Sequence, residues 1–191
     1  YTIEHIGQYL NTKKGCFPNF DFVRELKMQL EHDGGSVFRY ANHENTILRN
    51  IHEQLQNSNE PDKEELMAFI DSITHEDKVV GKRDMIDLLE VVKLYFYHPI
   101  MKGSNSIKVV LPAVLNSSKL LKKKYSQPIY GKEITSKNYT FDSPRIWIAY
   151  KETGEIDNPY KRLESISSLL NVSGRGIWCY CRSPIPFVVV N

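Results

Sequence analysis

Two carboxylates, Glu44 and Asp87, and a basic polar stretch from Lys102 to Lys108 stand where residues of their type can do chemistry. Glu44 falls in FRYANHEN (38–45), where a run of β-formers passes into a helix start. Ligands of α/β folds gather at that end of the strands. A carboxylate there, beside helix amides and the positive end of the dipole, can hold a divalent cation. Its plainer role is to complement the dipole, worth about 0.3–1 kcal/mol. Asp87 lies among Met85, Ile86, Leu88 and Leu89, inside an apolar helical pattern. A carboxylate is costly to bury there unless paired or metal-bound, and otherwise it faces solvent from the polar side. Next come Lys102-Gly103-Ser104-Asn105-Ser106 and, in the first turn of the helix that follows, Lys108. Amides, hydroxyls and ammonium groups so placed can contact a phosphate, or they form a solvated loop with a serine N-cap. Lys119, Lys122, Lys123 and Lys124 make either a solvated face or a rail for phosphates. His98, before Pro99, suits capping or packing better than ligation.

Other chemistries leave no trace. There is no Ser/His/Asp arrangement, Walker loop or G-x-G-x-x-G. Cys16, Cys179 and Cys181 form neither a disulfide framework nor a paired zinc pattern, and a reducing, cytoplasmic location is the expectation. With 191 residues, 41% hydrophobic and 25% charged, the chain can bury a sizeable core. A net charge of +2 is too mild to argue by itself for nucleic acid. No apolar run approaches the roughly 20 residues that span a bilayer, so no membrane is expected.

The elements that must position these residues follow from periodicity. Ile3, Ile6 and Leu10 suggest a strand ending in the turn-rich 11–15. Phe22, Val23, Leu26 and Leu30 predict a helix over about 19–32, stopped by Asp33-Gly34-Gly35. SVFRY (36–40) reads as a strand, and Asn42 can cap a helix over about 43–57. Glu60-Pro61-Asp62 opens a helix reaching Ile73, and 78–83 is a loop or short strand. Helices are predicted at about 85–97, with Asp84 as N-cap, at 104–115 and through Lys119–Tyr125. RIWIAY (145–150) alternates like a strand, and 154–159 is a turn. Strand, helix, strand, helix and then a helical block is an α/β order.

FRYANHENTILRNI, RDMIDLLEVVKLYFYHPIMKGSNSIKVVLPAVLNSS, YSQPIYGKEI and DNPYKRL together resemble the bacterial domain of unknown function 2779 family, over about residues 3–165. That family resembles a distant branch of the ribonuclease-H-like 3′–5′ exonucleases with a DEDD carboxylate set. In that superfamily four acidic residues hold two divalent metals, one activating water and one stabilising the leaving oxygen. The resemblance places the second-motif carboxylate on Glu44, the later Asp-Leu-Leu element on Asp87, and a Ser-x-Lys element on Ser106 and Lys108.

The resemblance implies an α/β, partial ribonuclease-H-like fold: a few-stranded mixed sheet with flanking helices, without the first strands and the last catalytic helix. The family's Asp-Phe-Glu-Thr strand and its closing Tyr-Cys-x-x-Asp-Thr helix have no counterpart in the sequence. The expected organisation is a partial domain over 1–165 and an unmatched tail over 166–191. The opening on Tyr1 and the apolar ending read as cuts through a larger unit or as trimming. Marginal stability, self-association or dependence on a missing segment is expected to follow.

The implied activity is metal-dependent phosphodiester hydrolysis of DNA or RNA, weak or absent in this chain alone. Glu44 and Asp87 would be catalytic and metal-binding, with Mg²⁺ or Mn²⁺. Lys102, Ser104, Ser106 and Lys108 would contact nucleic acid. The alternatives are a non-catalytic nucleic-acid-binding or protein-interaction module, and a decayed reading frame.

Overall fold

A computed structural model describes residues 9, 11, 13, 15–129, 132, 144 and 146–162. It is a mixed α/β arrangement whose described residues divide, along the chain, into two compact units between Phe96 and Tyr97. The predicted opening strand and the tail from 166 lie outside the described residues.

The first unit is built on three helices with the same apolar spacing. Helix α1 (Asn19–Leu30) buries Val23, Leu26 and Leu30. Helix α2 (His43–Gln56) buries Leu48, Ile51 and Leu55, and α3 (Lys63–Ile73) buries Leu66, Phe69, Ile70 and Ile73. Steps of three and four residues align these side chains on one face, and the three faces close on each other as one core.

Between α1 and α2 runs β1 (Phe38–Arg39). It pairs in parallel with β4 (Ile86–Asp87), in the register Phe38 to Ile86 and Arg39 to Asp87. Parallel neighbours need a long crossover, which α2 and α3 supply. A hairpin of β2 (His75–Glu76) and β3 (Val79–Val80) follows α3, turning through Asp77 at φ 49°. The chain then returns along the end of α3: Gly81 N–H donates to Thr74 O, Arg83 N–H to Ser72 O and Met85 N–H to Ile73 O, at 2.7–3.1 Å.

Three sequence expectations need correction here. The helix predicted from 85 begins only at Leu88, as α4 (Leu88–Tyr95), because Met85, Ile86 and Asp87 are drawn into pairing with β1. Its N-cap is Asp87, while Asp84 instead faces His75 Nδ1 at 3.0 Å with both carboxylate oxygens. Asn42 opens α2 without a side-chain cap, since its Oδ1 is taken by Arg39.

A charged seam ties α1 to the start of α3. Arg24 donates to Asp21, to both oxygens of Asp62 at 2.7 Å, and to Glu60. Its guanidinium holds the Asp62 carboxyl below the ordinary value of 3.8. A lowered carboxylate pKa stabilises fully above the unfolded value and is lost as pH falls through the folded one. Asp62→Asn is therefore expected to lower the urea midpoint at pH 7 and to narrow the gap between the midpoints at pH 7 and pH 3. An unchanged gap would show that Asp62 plays no part in acid sensitivity.

The second unit starts with a 3₁₀ turn (Pro99–Met101), followed by α5 (Ile107–Ser117) and α6 (Lys119–Tyr125). Leu115, Ile148 and Ile156 form its small core with Leu111, Leu121 and Tyr125. Burial pushes the Tyr125 hydroxyl pKa up. Asn116 donates to Pro112 O at 2.8 Å and accepts from Ile156 N–H at 3.2 Å, tying α5 to the later loop. The predicted strand over 145–150 reduces, among the described residues, to one antiparallel bridge, Tyr150 to Ile156, around a turn with Gly154 at φ 77°. A 3₁₀ turn (Pro159–Arg162) ends the described chain.

Candidate functional site

Both parallel strands deliver their C-terminal ends to helix starts. Strand β1 passes through Ala41 and Asn42 into α2, and β4 passes directly into α4. Glu44 and Asp87, the two carboxylates singled out from sequence, thus belong to the same end of the same strand pair.

Asp87 is bound on every side. Its Oδ1 accepts from Leu89 N–H at 2.9 Å, which caps α4, and from Ala41 N–H at 2.9 Å, which fastens the end of the neighbouring strand. Its Oδ2 lies 3.4 Å from the Arg39 guanidinium. The side chain is 16% exposed, so Asp87 neither sits within a helix nor points freely to solvent.

Arg39, 9% exposed, is the counterpart of this carboxylate. It donates to Ala41 O at 2.7 Å, Asn42 Oδ1 at 2.9 Å and Met85 O at 3.3 Å. Ala41 has φ 70°, a left-handed conformation that costs a residue with a Cβ about 1–2 kcal/mol. Asp87 holds its N–H and Arg39 its C=O, so the strained turn is fixed by both of its own polar groups.

Glu44 differs. It stands in the first turn of α2, where the dipole favours its charge. Its Oε2 is buried and has no hydrogen-bond partner among the described residues. Such an atom carries a desolvation cost of about 1–3 kcal/mol that no contact offsets. The next residue, Asn45, is fully committed: it exchanges two hydrogen bonds of 3.0 Å with the backbone of His75 and fastens β2 to α2.

Lys102, Ser104, Ser106 and Lys108 all belong to the second unit. Lys102 is left-handed at φ 49° and Gly103 follows at φ 80°. Ser104 Oγ accepts from Ser106 N–H at 3.3 Å, and Ser106 is the N-cap of α5 without a side-chain cap bond. Lys102, Ser104, Ser106 and Lys108 are exposed. His98 caps the 3₁₀ turn, accepting from Ile100 N–H at 3.2 Å. Of the basic run, Lys119 and Lys123 are exposed while Lys122 and Lys124 are half-buried.

Sequence reasoning passed over the role of Arg39 and the pairing of His75 with both Asn45 and Asp84. In SVFRY, Arg39 occupies an ordinary alternating position, and nothing local announces that it is buried. Its signal is the pairing of β1 with β4, which only the fold reveals.

Among the described residues no group of three or more His, Cys, Asp or Glu side chains is arranged to hold a metal ion. A groove of about 230 Å³, lined by Gly34, Ser36, Lys82, Asp84 and Ile86 among others, lies at the opposite, N-terminal ends of β1 and β4. No described helix is long and apolar enough to cross a membrane.

The class defined by this geometry is an α/β protein with polar groups gathered where two parallel strands end. Residues 2–106 match the family described as "Domain of unknown function (DUF2779)". The chain belongs to that family. No curated protein and no solved structure matches it.

Proposed function

We propose that this chain is part of a ribonuclease-H-like domain for metal-dependent hydrolysis of phosphodiesters in DNA or RNA, with weak or no cleavage by itself. The observation that carries the reading is the buried Oε2 of Glu44, at the C-terminal end of a parallel strand pair, which has no hydrogen-bond partner among the described residues. A divalent cation, Mg²⁺ or Mn²⁺, would satisfy that oxygen, and its chemistry would be to polarise phosphate and activate water. Glu44 would supply one carboxylate ligand, and among the described residues no group of three His, Cys, Asp or Glu side chains completes the set. Asp87 fits less well as a ligand, since two amides and a guanidinium already compensate it. Its part in this site is to hold the strand ends and the turn before Glu44.

The second unit supplies groups for a polyanion. The exposed Lys102 and Lys108 flank a Gly-Ser turn at the start of α5, and Ser104 and Ser106 carry hydroxyls there. Such a surface suits phosphate contacts that are independent of base sequence.

The test uses fluorescent single-stranded DNA and RNA with the full chain. Binding is expected to weaken as salt rises, and Lys102→Ala/Lys108→Ala to weaken it for every sequence alike. Mn²⁺ is expected to raise the melting temperature of the wild type but not of Glu44→Gln. Salt-dependent nucleic-acid binding together with a Mn²⁺ response unaffected by Glu44→Gln would favour a non-catalytic binding module. Efficient metal-dependent cleavage abolished by Glu44→Gln would overturn the expectation that the chain alone is nearly inactive.

A further inference from the structure

We infer that Arg39 takes the place of a cation against Asp87, so that this end of the sheet takes at most one divalent ion, at Glu44, and Asp87 ligates none. The Glu44 half rests on the reading above; the Arg39 half stands on the hydrogen bonds alone.

The donor set leads there in three steps. First, Asp87 has little left to offer a metal: Oδ1 accepts two backbone N–H groups, its full complement, and Oδ2 faces the guanidinium. Second, Arg39 is not a surface side chain free to swing aside. Three acceptors besides Asp87 hold it, two of them backbone carbonyls, and it is 9% exposed. Third, a divalent ion on Oδ2 would have to sit beside that fixed positive charge, and like charges in a partly buried setting repel strongly. The buried Oε2 of Glu44, by contrast, accepts no hydrogen bond from the described residues.

The experiment is a Mn²⁺ titration of the full chain, with free Mn²⁺ read by electron paramagnetic resonance and folding of each variant checked by circular dichroism. The wild type is expected to bind no more than one Mn²⁺. Glu44→Gln is expected to lose it, and Asp87→Asn to keep it. Arg39→Gln is expected to gain a second ion, or to tighten binding by roughly tenfold, and Arg39→Lys to behave as wild type. The gain should vanish in the Arg39→Gln/Asp87→Asn double variant. Two ions in the wild type with one lost in Asp87→Asn, or no change in a folded Arg39→Gln, would overturn the assignment of Arg39. If Arg39→Gln does not fold, the Asp87→Asn titration decides alone: unchanged binding upholds the inference and lost binding refutes it. An unaltered titration in Glu44→Gln would instead refute the role of Glu44 and leave the Arg39 result standing.

Discussion

Asp87→Ala is expected to destabilise the chain by about 3–5 kcal/mol, the usual cost of removing one partner from a buried ion pair. Three separate losses contribute. The cap of α4 disappears, and helix caps of this kind are worth about 0.5–2 kcal/mol. The Ala41 N–H loses its acceptor while its backbone stays in the left-handed conformation. The Arg39 guanidinium keeps its burial and loses its compensating charge. Asp87→Asn retains an oxygen for both amides and forfeits only the charge, so a smaller loss of about 1–3 kcal/mol is expected. Urea unfolding of both variants, read from the midpoints at unchanged slope, separates the contributions. A loss below about 0.5 kcal/mol for alanine, the level of an ordinary surface change, would show that the strand ends do not depend on this carboxylate.

Gly81→Ala should be about as damaging, for a steric reason. The chain after β3 lies so close to the end of α3 that a Cβ at residue 81 would overlap the backbone oxygens of Asp71 and Ser72, lying 2.5 Å from the latter. Backbone on both sides cannot rotate away as a side chain can. The segment must lift, which strains the bonds from Gly81 to Thr74 and from Arg83 to Ser72 that set β4 in place. Overpacking against a fixed wall costs about 1–3 kcal/mol or more, and the loosened hydrogen bonds add to it. Gly34→Ala is the control, since an added Cβ there meets nothing within 4 Å. Thermal unfolding of the two variants checks the contrast: a sharp drop for residue 81, almost none for residue 34. Equal drops would mean that lost glycine flexibility, rather than close approach, governs both.

The helices of the first unit were legible because each has one job. Val23, Leu26 and Leu30 recur at the helical period with solvent-facing residues between them, and so do the apolar residues of α2 and α3. Met85-Ile86-Asp87-Leu88-Leu89 misled for the opposite reason. Its apolar run suits a buried strand or a helix equally, and the choice is made by pairing with Phe38 and Arg39, far away in sequence. Asp87 stands out in the sequence as an acid among apolar neighbours, and Glu44 as an acid where a strand passes into a helix. Their difference was invisible, because it depends on which partners the fold brings: among the described residues, three for Asp87 and none for the buried oxygen of Glu44. Asp84 shows the same limit. A helix start nearby made it a natural cap, but His75, arriving from the hairpin, claims its carboxylate.

The double hold on Ala41 bears on how activity should be diagnosed in other members of the family. The two amides and the guanidinium around Asp87 give an acid there a structural reason to be kept, so finding one in a relative is weak evidence of catalysis. An acid at the position of Glu44 is another matter. Among the described residues no hydrogen bond reaches its buried Oε2, and a lineage that abandoned its chemistry would lose little there by replacing it. Of the two carboxylates, the one that contributes least to architecture is the better witness to function.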